Sequence, residues 1–395
     1  MKETERQEII NQTRQKGGIT LRNQALKVHS NGARFLIKQS YVDDALLVKD
    51  KNYMLIIIPE LDDVYIKNKV MDEKGKEKDV IGKELEFGEV VYSEFVRCIW
   101  GSAHWFGKEY DLPFIYGGSG YGFMTCINDN LLTEGGIYGW KIERLFPLLA
   151  NLGLNVQKIG DITKNSPGED TRMIEARMKE GIDQNIPHLL ISSNHCHVVV
   201  GYSEFCFYIK PETRHVPSQV TSGTWEEFST DDVISVYSVT EMESADEKTI
   251  IKDAIQAAID MRENPSTWGD PPYHCGFEAY GPWYEVSREN VDEQTKNKNY
   301  AGNNEYFFVH ERGNLENREM IQKFFNKVKN MPFLTDDARE VASTLEDDFR
   351  KAANVMKIYN INVNWDKREQ MDKKSIDDMK KMIEIMNLSE SKGGM

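Results

Sequence analysis

The chain has 395 residues and a formal net charge of −15 at pH 7. This length predicts two or three compact units rather than one core of ordinary size. The negative net charge argues against nucleic acid or an anionic membrane as the main partner, because both are negatively charged and bind lysine and arginine side chains. No apolar run reaches the length of a membrane span, and the polar start of the chain lacks the apolar segment of a secretory signal. We therefore expect a cytoplasmic protein with no nucleic-acid partner and no membrane partner.

The patterns of the sequence predict three regions. Residues 1–88 contain short apolar runs rich in β-forming residues, separated by turn residues, and predict a small β-rich unit. Residues 89–243 show helices first and consecutive strands afterwards, which is the order of an α+β domain and disfavours a parallel doubly wound sheet. Residues 244–395 are predicted to be a helical extension.

The predicted elements of the second region set the context for function. A short helix is predicted to begin at a cysteine, over Cys98–Tyr110, and a glycine-rich loop with the sequence YGGSGYGF follows at 116–123. The later elements are a helix over Trp140–Leu152, a strand over Val156–Ile159, a helix over Asp170–Asn185, and strands over His188–Ser192, His197–Tyr202, Phe205–Lys210 and Val233–Val239. The helices of the extension are predicted over Asp246–Arg262, Cys275–Glu289, Asn314–Lys329, Asp336–Tyr359 and Lys374–Met386.

Cys98 and His197 are the residue pair most indicative of chemistry. A thiol is a useful nucleophile only as a thiolate, and a helix N-terminus together with an imidazole commonly lowers the pKa of a thiol. The alternative is that Cys98 is a small buried apolar residue and His197 a core histidine with satisfied hydrogen bonds. If the first interpretation holds, the Cys98 sulfur and a ring nitrogen of His197 lie roughly 3 to 4 Å apart.

The cysteines as a set give no further signal. Their odd number and the absence of a CxxC spacing predict neither a disulfide framework nor a cysteine-rich zinc module. We expect each of them to serve either the core or the chemistry. They are Cys98, Cys126, Cys196, Cys206 and Cys275.

The glycine-rich loop does not match a nucleotide-binding motif. It lacks the GxGxxG spacing of the dinucleotide fingerprint and the Lys-Ser/Thr of a P-loop. We expect a turn in which backbone packs closely and φ is positive, and no cofactor is predicted.

The cysteine at a helix start, the loop YGGSGYGF, an αβ segment and a strand reading HVVVGY together resemble the N-terminal family of butirosin biosynthesis protein H-like proteins. That family is similar to the papain-like cysteine hydrolases. The resemblance covers roughly residues 89–240, and GFEAYGPW at Gly276–Trp283 resembles the helical extension that such proteins carry. The fold implied by the resemblance is a papain-like cysteine hydrolase domain of the α+β class.

The resemblance also implies a function, which is cysteine-dependent acyl transfer or the hydrolysis of an amide or thioester in peptide or natural-product biosynthesis. Cys98 would attack the carbonyl, His197 would act as general base and protonate the leaving group, and free backbone N–H groups at the helix start would stabilise the oxyanion. The substrate would be a peptide, an acyl-carrier-linked compound or a small molecule, and homo-oligomer formation is left open. The residues predicted to bind this substrate are Gly118, Ser119, Gly120 and His195.

Departures from the family pattern support a second hypothesis, a non-catalytic papain-like module that binds a peptide or metabolite. Arg97 stands before the cysteine, where the family often has histidine or a small polar residue. Ser93 and Glu94 stand where a glutamine would complete the oxyanion hole, and a glutamate would repel an oxyanion. The third member of a catalytic triad is left open between Glu212 and Asn194.

A metal-dependent hydrolase is the third hypothesis. His195 and His197 alternate on a predicted strand and so share one face, as two zinc ligands do. The sequence offers no convincing third ligand, and no metal is predicted.

Overall fold

The structure is a computed structural model, and it describes residues 26–29, 32–35, 69–71, 77–79, 93–128, 140–163, 168–192, 195–203, 206–211, 219–223, 225, 228, 233–285, 304–356 and 365–393. The chain divides into two compact units, Met1–Tyr65 and Ile66–Met395. The boundaries predicted after residues 88 and 243 stay predictions. The main apolar cluster of the second unit contains residues from both sides of position 243.

The described strands near the N-terminus form two antiparallel hairpins. In the first unit, β1 (Leu26–His29) pairs with β2 (Gly32–Phe35). In the second unit, β3 (Lys69–Met71) pairs with β4 (Glu77–Asp79).

The second unit combines an antiparallel sheet with helices, as the predicted α+β class requires. The six-stranded sheet has the order β10-β9-β8-β7-β11-β6, in which every neighbouring pair is antiparallel. Its strands are β6 (Leu154–Thr163), β7 (His188–Ile191), β8 (Cys196–Tyr202), β9 (Cys206–Lys210), β10 (Gln219–Thr221) and β11 (Val233–Glu241). A separate two-stranded sheet pairs β5 (Cys126–Asn128) with β12 (Tyr273–Cys275).

Eight helices are described in full. The helix α1 covers Glu94–Trp105, α2 Leu112–Gly118, α3 Phe146–Asn151, α4 Gly168–Asp183, α5 Glu247–Glu263, α6 Asn304–Val328, α7 Asp336–Met356 and α8 Trp365–Gly393.

The central strand β8 is buried along its whole length, because both faces of the sheet are covered. On the first face, Cys196 and Val198 belong to the main apolar cluster, to which α1 contributes Cys98. On the second face, Val199 belongs to a smaller cluster that includes Met178 of α4. Alternating residues of this strand therefore face different surroundings.

The first helix begins at Glu94, so the predicted start at Cys98 was wrong. Ser93 is the N-cap, and its Oγ accepts a hydrogen bond from the N–H of Val96 at 3.2 Å. An acidic residue then occupies the first turn, where the helix dipole favours negative charge. Cys98 consequently lies in the second turn.

Two other predicted helices also differ from the structure. The segment predicted as a helix over Trp140–Leu152 is a 3₁₀ turn at Ile142–Leu145 followed by α3, because Pro147 is tolerated only near a helix start. The start of the predicted helix Cys275–Glu289 is the end of β12 and a 3₁₀ turn at Gly276–Ala279.

The expectation that no cysteine forms a disulfide was wrong. Cys126 and Cys275 lie directly opposite each other in the β5–β12 pair and are linked by a disulfide. They are far apart in the sequence, and no paired spacing indicates the link. Cys98, Cys196 and Cys206 are free and buried.

Within the described part of the chain, every helix is either too short or too polar to cross a lipid bilayer.

The glycine-rich loop packs against buried apolar side chains. Gly118 ends α2, and a Cβ at this position would lie 3.0 Å from Ile250 and 3.1 Å from Leu152. Gly120 has φ of +77°, and a Cβ there would lie 2.6 Å from Leu148 Cδ1. The loop therefore needs glycine for both the backbone conformation and the close packing.

We expect Gly120→Ala to destabilise the fold more than Gly107→Ala. Both glycines have positive φ, but a Cβ at Gly107 has no neighbour within 4 Å. The control substitution should cost about 1 kcal/mol from backbone strain alone, and the overlap with Leu148 should add at least about 1 kcal/mol. Urea unfolding followed by circular dichroism measures both values, and equal costs would contradict the tight packing of this loop.

Candidate functional site

The start of α1 and the start of β8 bring three ionisable side chains together. Glu94 is the first residue of α1, His195 precedes β8, and His197 is the second residue of that strand. The Glu94 Oε2 atom lies 3.5 Å from Nδ1 of His195 and 3.8 Å from Nδ1 of His197. We call Glu94, His195 and His197 the Glu–His cluster.

A backbone hydrogen bond fixes the cluster. The same Oε2 atom of Glu94 accepts the N–H of Cys196 at 3.0 Å. His195 is held by its own backbone, since its N–H donates to Ser192 Oγ at 3.0 Å and its carbonyl accepts the Ser192 N–H at 2.9 Å. The carboxylate thus links the helix start to the strand start directly.

The three side chains differ in exposure and in charge. The side chains of Glu94 and His195 are 17% and 22% exposed, whereas that of His197 is fully buried. Burial acts to raise the pKa of Glu94, but the two histidines and the N–H of Cys196 outweigh it, and the pKa lies below its usual value. Glu94 is therefore a carboxylate at neutral pH.

His197 is neutral at the same pH. Burial lowers its pKa to about 4, although the Glu94 carboxylate acts to raise it, and His195 and Arg97 add to the lowering. The ring of Phe228 packs edge-on against it, with 5.4 Å between ring centroids. Neither ring nitrogen has a hydrogen-bond partner among the described residues. A neutral imidazole thus keeps one donor and one acceptor unsatisfied in the interior, which is costly and uncommon.

The structure does not bring the thiol of Cys98 and the ring of His197 into hydrogen-bond contact. The Cys98 Sγ atom donates instead to the carbonyl oxygen of Cys196 at 3.2 Å. Successive residues of β8 face opposite sides of the sheet, and Cys98 packs on the side of Cys196. His197 faces the other side, where Phe228 belongs to the second apolar cluster.

The backbone at Cys98 is also unsuited to hold an oxyanion. Only the first four N–H groups of a helix lack partners inside it, and the helix hydrogen bonds already include Arg97 N–H to the Ser93 carbonyl at 3.2 Å. Cys98 comes after these positions, so its N–H belongs to the regular helix ladder. The predicted oxyanion stabilisation by free N–H groups at this residue was wrong, because the helix starts earlier than predicted.

The remaining predicted site residues lie in varied settings. His195 joins the Glu–His cluster, whereas Ser119 is fully buried at the end of α2 and its Oγ accepts the Tyr121 N–H at 3.3 Å. Gly118 and Gly120 have the apolar neighbours described above. The two candidates for a third triad member, Glu212 and Asn194, lie outside the described residues.

Glu94 is the member of the Glu–His cluster that the sequence did not predict as a site residue. From the sequence alone, its carboxylate is expected only to repel an oxyanion. The available signal was the pair Ser93–Glu94, since a capping residue followed by an acidic residue marks a helix start. A helix that starts there places the carboxylate, and not the thiol, beside the two histidines.

The described residues contain no group of three or more His, Cys, Asp and Glu side chains arranged to hold a metal ion.

The function has to be inferred from the geometry of the site, because comparisons with known proteins supply no relative. No protein-family model matches the chain, and a search of curated proteins finds no significant relative.

We expect the buried neutral state of His197 to make the fold sensitive to acid. Its pKa is about 4 in the folded chain and about 6.5 in an unfolded one. Between these values the unfolded chain binds more protons, so stability is lost as the pH falls from about 6.5 towards 4. At pH 5 the loss from this group should be about 2 kcal/mol relative to pH 7.

Urea unfolding at pH 7 and pH 5 tests this expectation. His197→Gln should reduce the stability difference between the two pH values by about 2 kcal/mol. His188 is a useful parallel, because burial lowers its pKa to about 4 as well, and His188→Gln should give a separate and additive reduction. An unchanged difference in the His197 variant would show that this ring is protonated in the folded state.

Proposed function

We propose that the second unit has a papain-like fold and serves as a non-catalytic module that binds a peptide or metabolite at the Glu–His cluster. The observation that carries the proposal is the position of Glu94, whose carboxylate lies beside His197 while the thiol of Cys98 is bound to a backbone carbonyl. A thiol hydrolase needs its sulfur beside the imidazole.

The papain-like fold is supported by the way in which α1 meets the sheet. A helix packs along an antiparallel sheet, and its first residue contacts the strand that carries the histidine. This is the arrangement that the resemblance implies, with a carboxylate at the contact in place of a thiol.

The chemistry of the cluster suits a ligand that carries amide groups. The Glu94 carboxylate is a hydrogen-bond acceptor, and a neutral histidine ring offers one N–H donor and one acceptor. A peptide amide presents an N–H and a carbonyl side by side and can satisfy both kinds of group. The negative charge of Glu94, with His197 neutral, also favours a donor or cationic group on the ligand.

The three side chains of the cluster differ in exposure, and this difference determines which of them a ligand contacts first. Glu94 and His195 are reached from solvent, whereas His197 lies behind them with both ring nitrogens unpartnered within the described part of the chain. A bound amide would first contact the two exposed groups. A small displacement of His195 would then let the ligand form hydrogen bonds to the buried ring of His197. These bonds offset part of the free-energy cost of ordering the site.

Acyl transfer through Cys98 is the competing function, and thiol labelling separates the two. We expect iodoacetamide at pH 7.5 to label Cys98 no faster than Cys196 and Cys206, because all three are buried. His197→Gln should change the rate at Cys98 by less than about twofold, since the ring does not contact the sulfur. Mass spectrometry of the digested protein gives the rate for each cysteine.

The opposite labelling pattern would establish catalysis through Cys98. It consists of preferential labelling of Cys98 in the native protein, together with a decrease of at least about tenfold in His197→Gln. Labelling in urea provides the reference rate for accessible thiols.

The binding function is tested with capped tripeptides, N-acetylated and C-amidated, that carry apolar, acidic or basic side chains. NMR of protein with ¹⁵N-labelled histidine follows the rings of His195 and His197 during titration. We expect saturable shifts with at least one peptide class, and an affinity at least about tenfold weaker in Glu94→Gln, which loses a charge-assisted hydrogen bond.

The control for the binding test is Glu143→Gln, which removes a carboxylate in the 3₁₀ turn Ile142–Leu145 that accepts a hydrogen bond from the Tyr237 hydroxyl at 2.8 Å. It should bind as the unmodified protein does. Ring shifts absent at millimolar concentrations of every peptide class would refute the binding site, and cleaved peptides in the same samples would refute the non-catalytic part of the proposal.

A further inference from the structure

Two buried arginines lie in the helical part of the second unit, and neither belongs to the Glu–His cluster. Arg262 is in the last turn of α5 and is 7% exposed, and Arg318 is in α6 and is 2% exposed. Guanidinium groups stay protonated in proteins, so both sites carry a full positive charge in the interior.

One carboxylate serves both arginines. Asp372 of α8 accepts a hydrogen bond from Nη2 of Arg318 at 2.9 Å, and lies 3.7 Å from Nη2 of Arg262. The Thr125 hydroxyl oxygen accepts from both guanidiniums, at 2.9 Å from Arg262 and 2.8 Å from Arg318. The hydroxyl of Tyr280 also donates to Asp372.

The charges around the pair do not balance. Burial raises the pKa of Tyr280 far above neutral pH, and the neighbouring Asp372 adds to the rise, so the phenol is uncharged. Among the described residues, two guanidiniums therefore face one carboxylate, which leaves an excess of one positive charge. The ring of Phe277, whose centroid is 5.9 Å from the Arg262 guanidinium carbon, compensates only weakly.

The hydrogen-bond donors do not balance either. Within the described part of the chain, Nε and Nη1 of Arg262 and Nη1 of Arg318 have no hydrogen-bond partner, although each is buried. An unsatisfied donor on a buried charged group costs more than one on a neutral group, and buried charges are normally paired. The pair thus lacks one negative charge and acceptors for three donor atoms.

We propose that the arginine pair Arg262–Arg318 is an internal binding site for a small oxyanion, either a carboxylate or a phosphate-type anion. Such an anion supplies the missing negative charge and several acceptor oxygens at once. The planar fork of a guanidinium matches carboxylate and phosphate geometry, so Nε and Nη1 of Arg262 can bind two oxygens side by side. The excess positive charge excludes a metal cation.

The depth of the site limits the size of the ligand. Both side chains are almost fully buried, so we expect the ligand to be a small ion, or a small molecule that ends in an oxyanion. Entry requires a local opening of the structure, because the free donors have no exposed surface.

Equilibrium dialysis with radiolabelled inorganic phosphate and, separately, radiolabelled acetate tests the proposal on the full chain at constant ionic strength. We expect one of the two anions to bind with a stoichiometry of about one per chain, and the same anion at 10 mM to raise the melting temperature by at least about 2 °C. Preference for phosphate or for acetate identifies the class of the oxyanion.

Two variants localise the binding. Arg262→Met should lower the affinity for the anion at least about tenfold, because it removes two of the three free donor atoms together with the excess positive charge. Arg144→Met should bind normally, since Arg144 is partly exposed and already paired with Asp260 at 2.7 Å. If the methionine variant does not fold, Arg262→Lys, which retains charge but loses the fork, is judged by the same tenfold criterion.

The proposal is overturned if neither anion binds with a Kd below about 10 mM, or if the folded Arg262 variant binds as tightly as the unmodified chain.

Discussion

The hydrogen bond from the N–H of Cys196 to the carboxylate of Glu94 is the contact that organises the candidate site. A glutamate in the first turn is stabilised by the helix dipole, and its carboxylate is free to accept a donor from the neighbouring strand. Because the donor belongs to the residue between His195 and His197, one contact sets the position of both histidines. The same contact fixes the register of the helix against the strand, and places Cys98 one turn further along.

That register explains why a cysteine and a histidine of the expected types do not form a dyad. The second turn of α1 faces the side of the sheet that carries Cys196, and the imidazole of His197 lies on the other side. The two groups lie on different sides of the strand, and no hydrogen bond joins them. The residue types of a thiol hydrolase are present, but the thiol donates to a backbone carbonyl and a carboxylate lies beside the imidazole.

The sequence predicted the α+β class and most of the strands, because those depend on apolar periodicity and on the order of the elements. The strands over His197–Tyr202 and Phe205–Lys210 were predicted within one residue of β8 and β9. The predicted start of α1 was one turn late, because the resemblance implies a helix that begins at the cysteine, whereas Ser93 caps the helix. Because α1 begins one turn earlier than predicted, its first residue is Glu94, and a carboxylate lies at the site where a thiol was expected.

Other features could not be inferred from sequence in principle. The disulfide between Cys126 and Cys275 and the sharing of Asp372 by two arginines depend on contacts between residues far apart in the chain. Local spacing and propensity carry no information about such contacts. The same holds for the two faces of β8, since alternation shows that neighbours differ but not which helix each of them meets.

NMR titration of the His197 ring tests most directly whether His197 faces Glu94 and not Cys98. Burial should hold the pKa of this ring near 4, and Cys98→Ser should leave it unchanged. In a thiolate–imidazolium pair the ring pKa would instead lie above its usual value of about 6.5 and would fall sharply in the serine variant. The second result would contradict the binding-module account and restore the catalytic dyad.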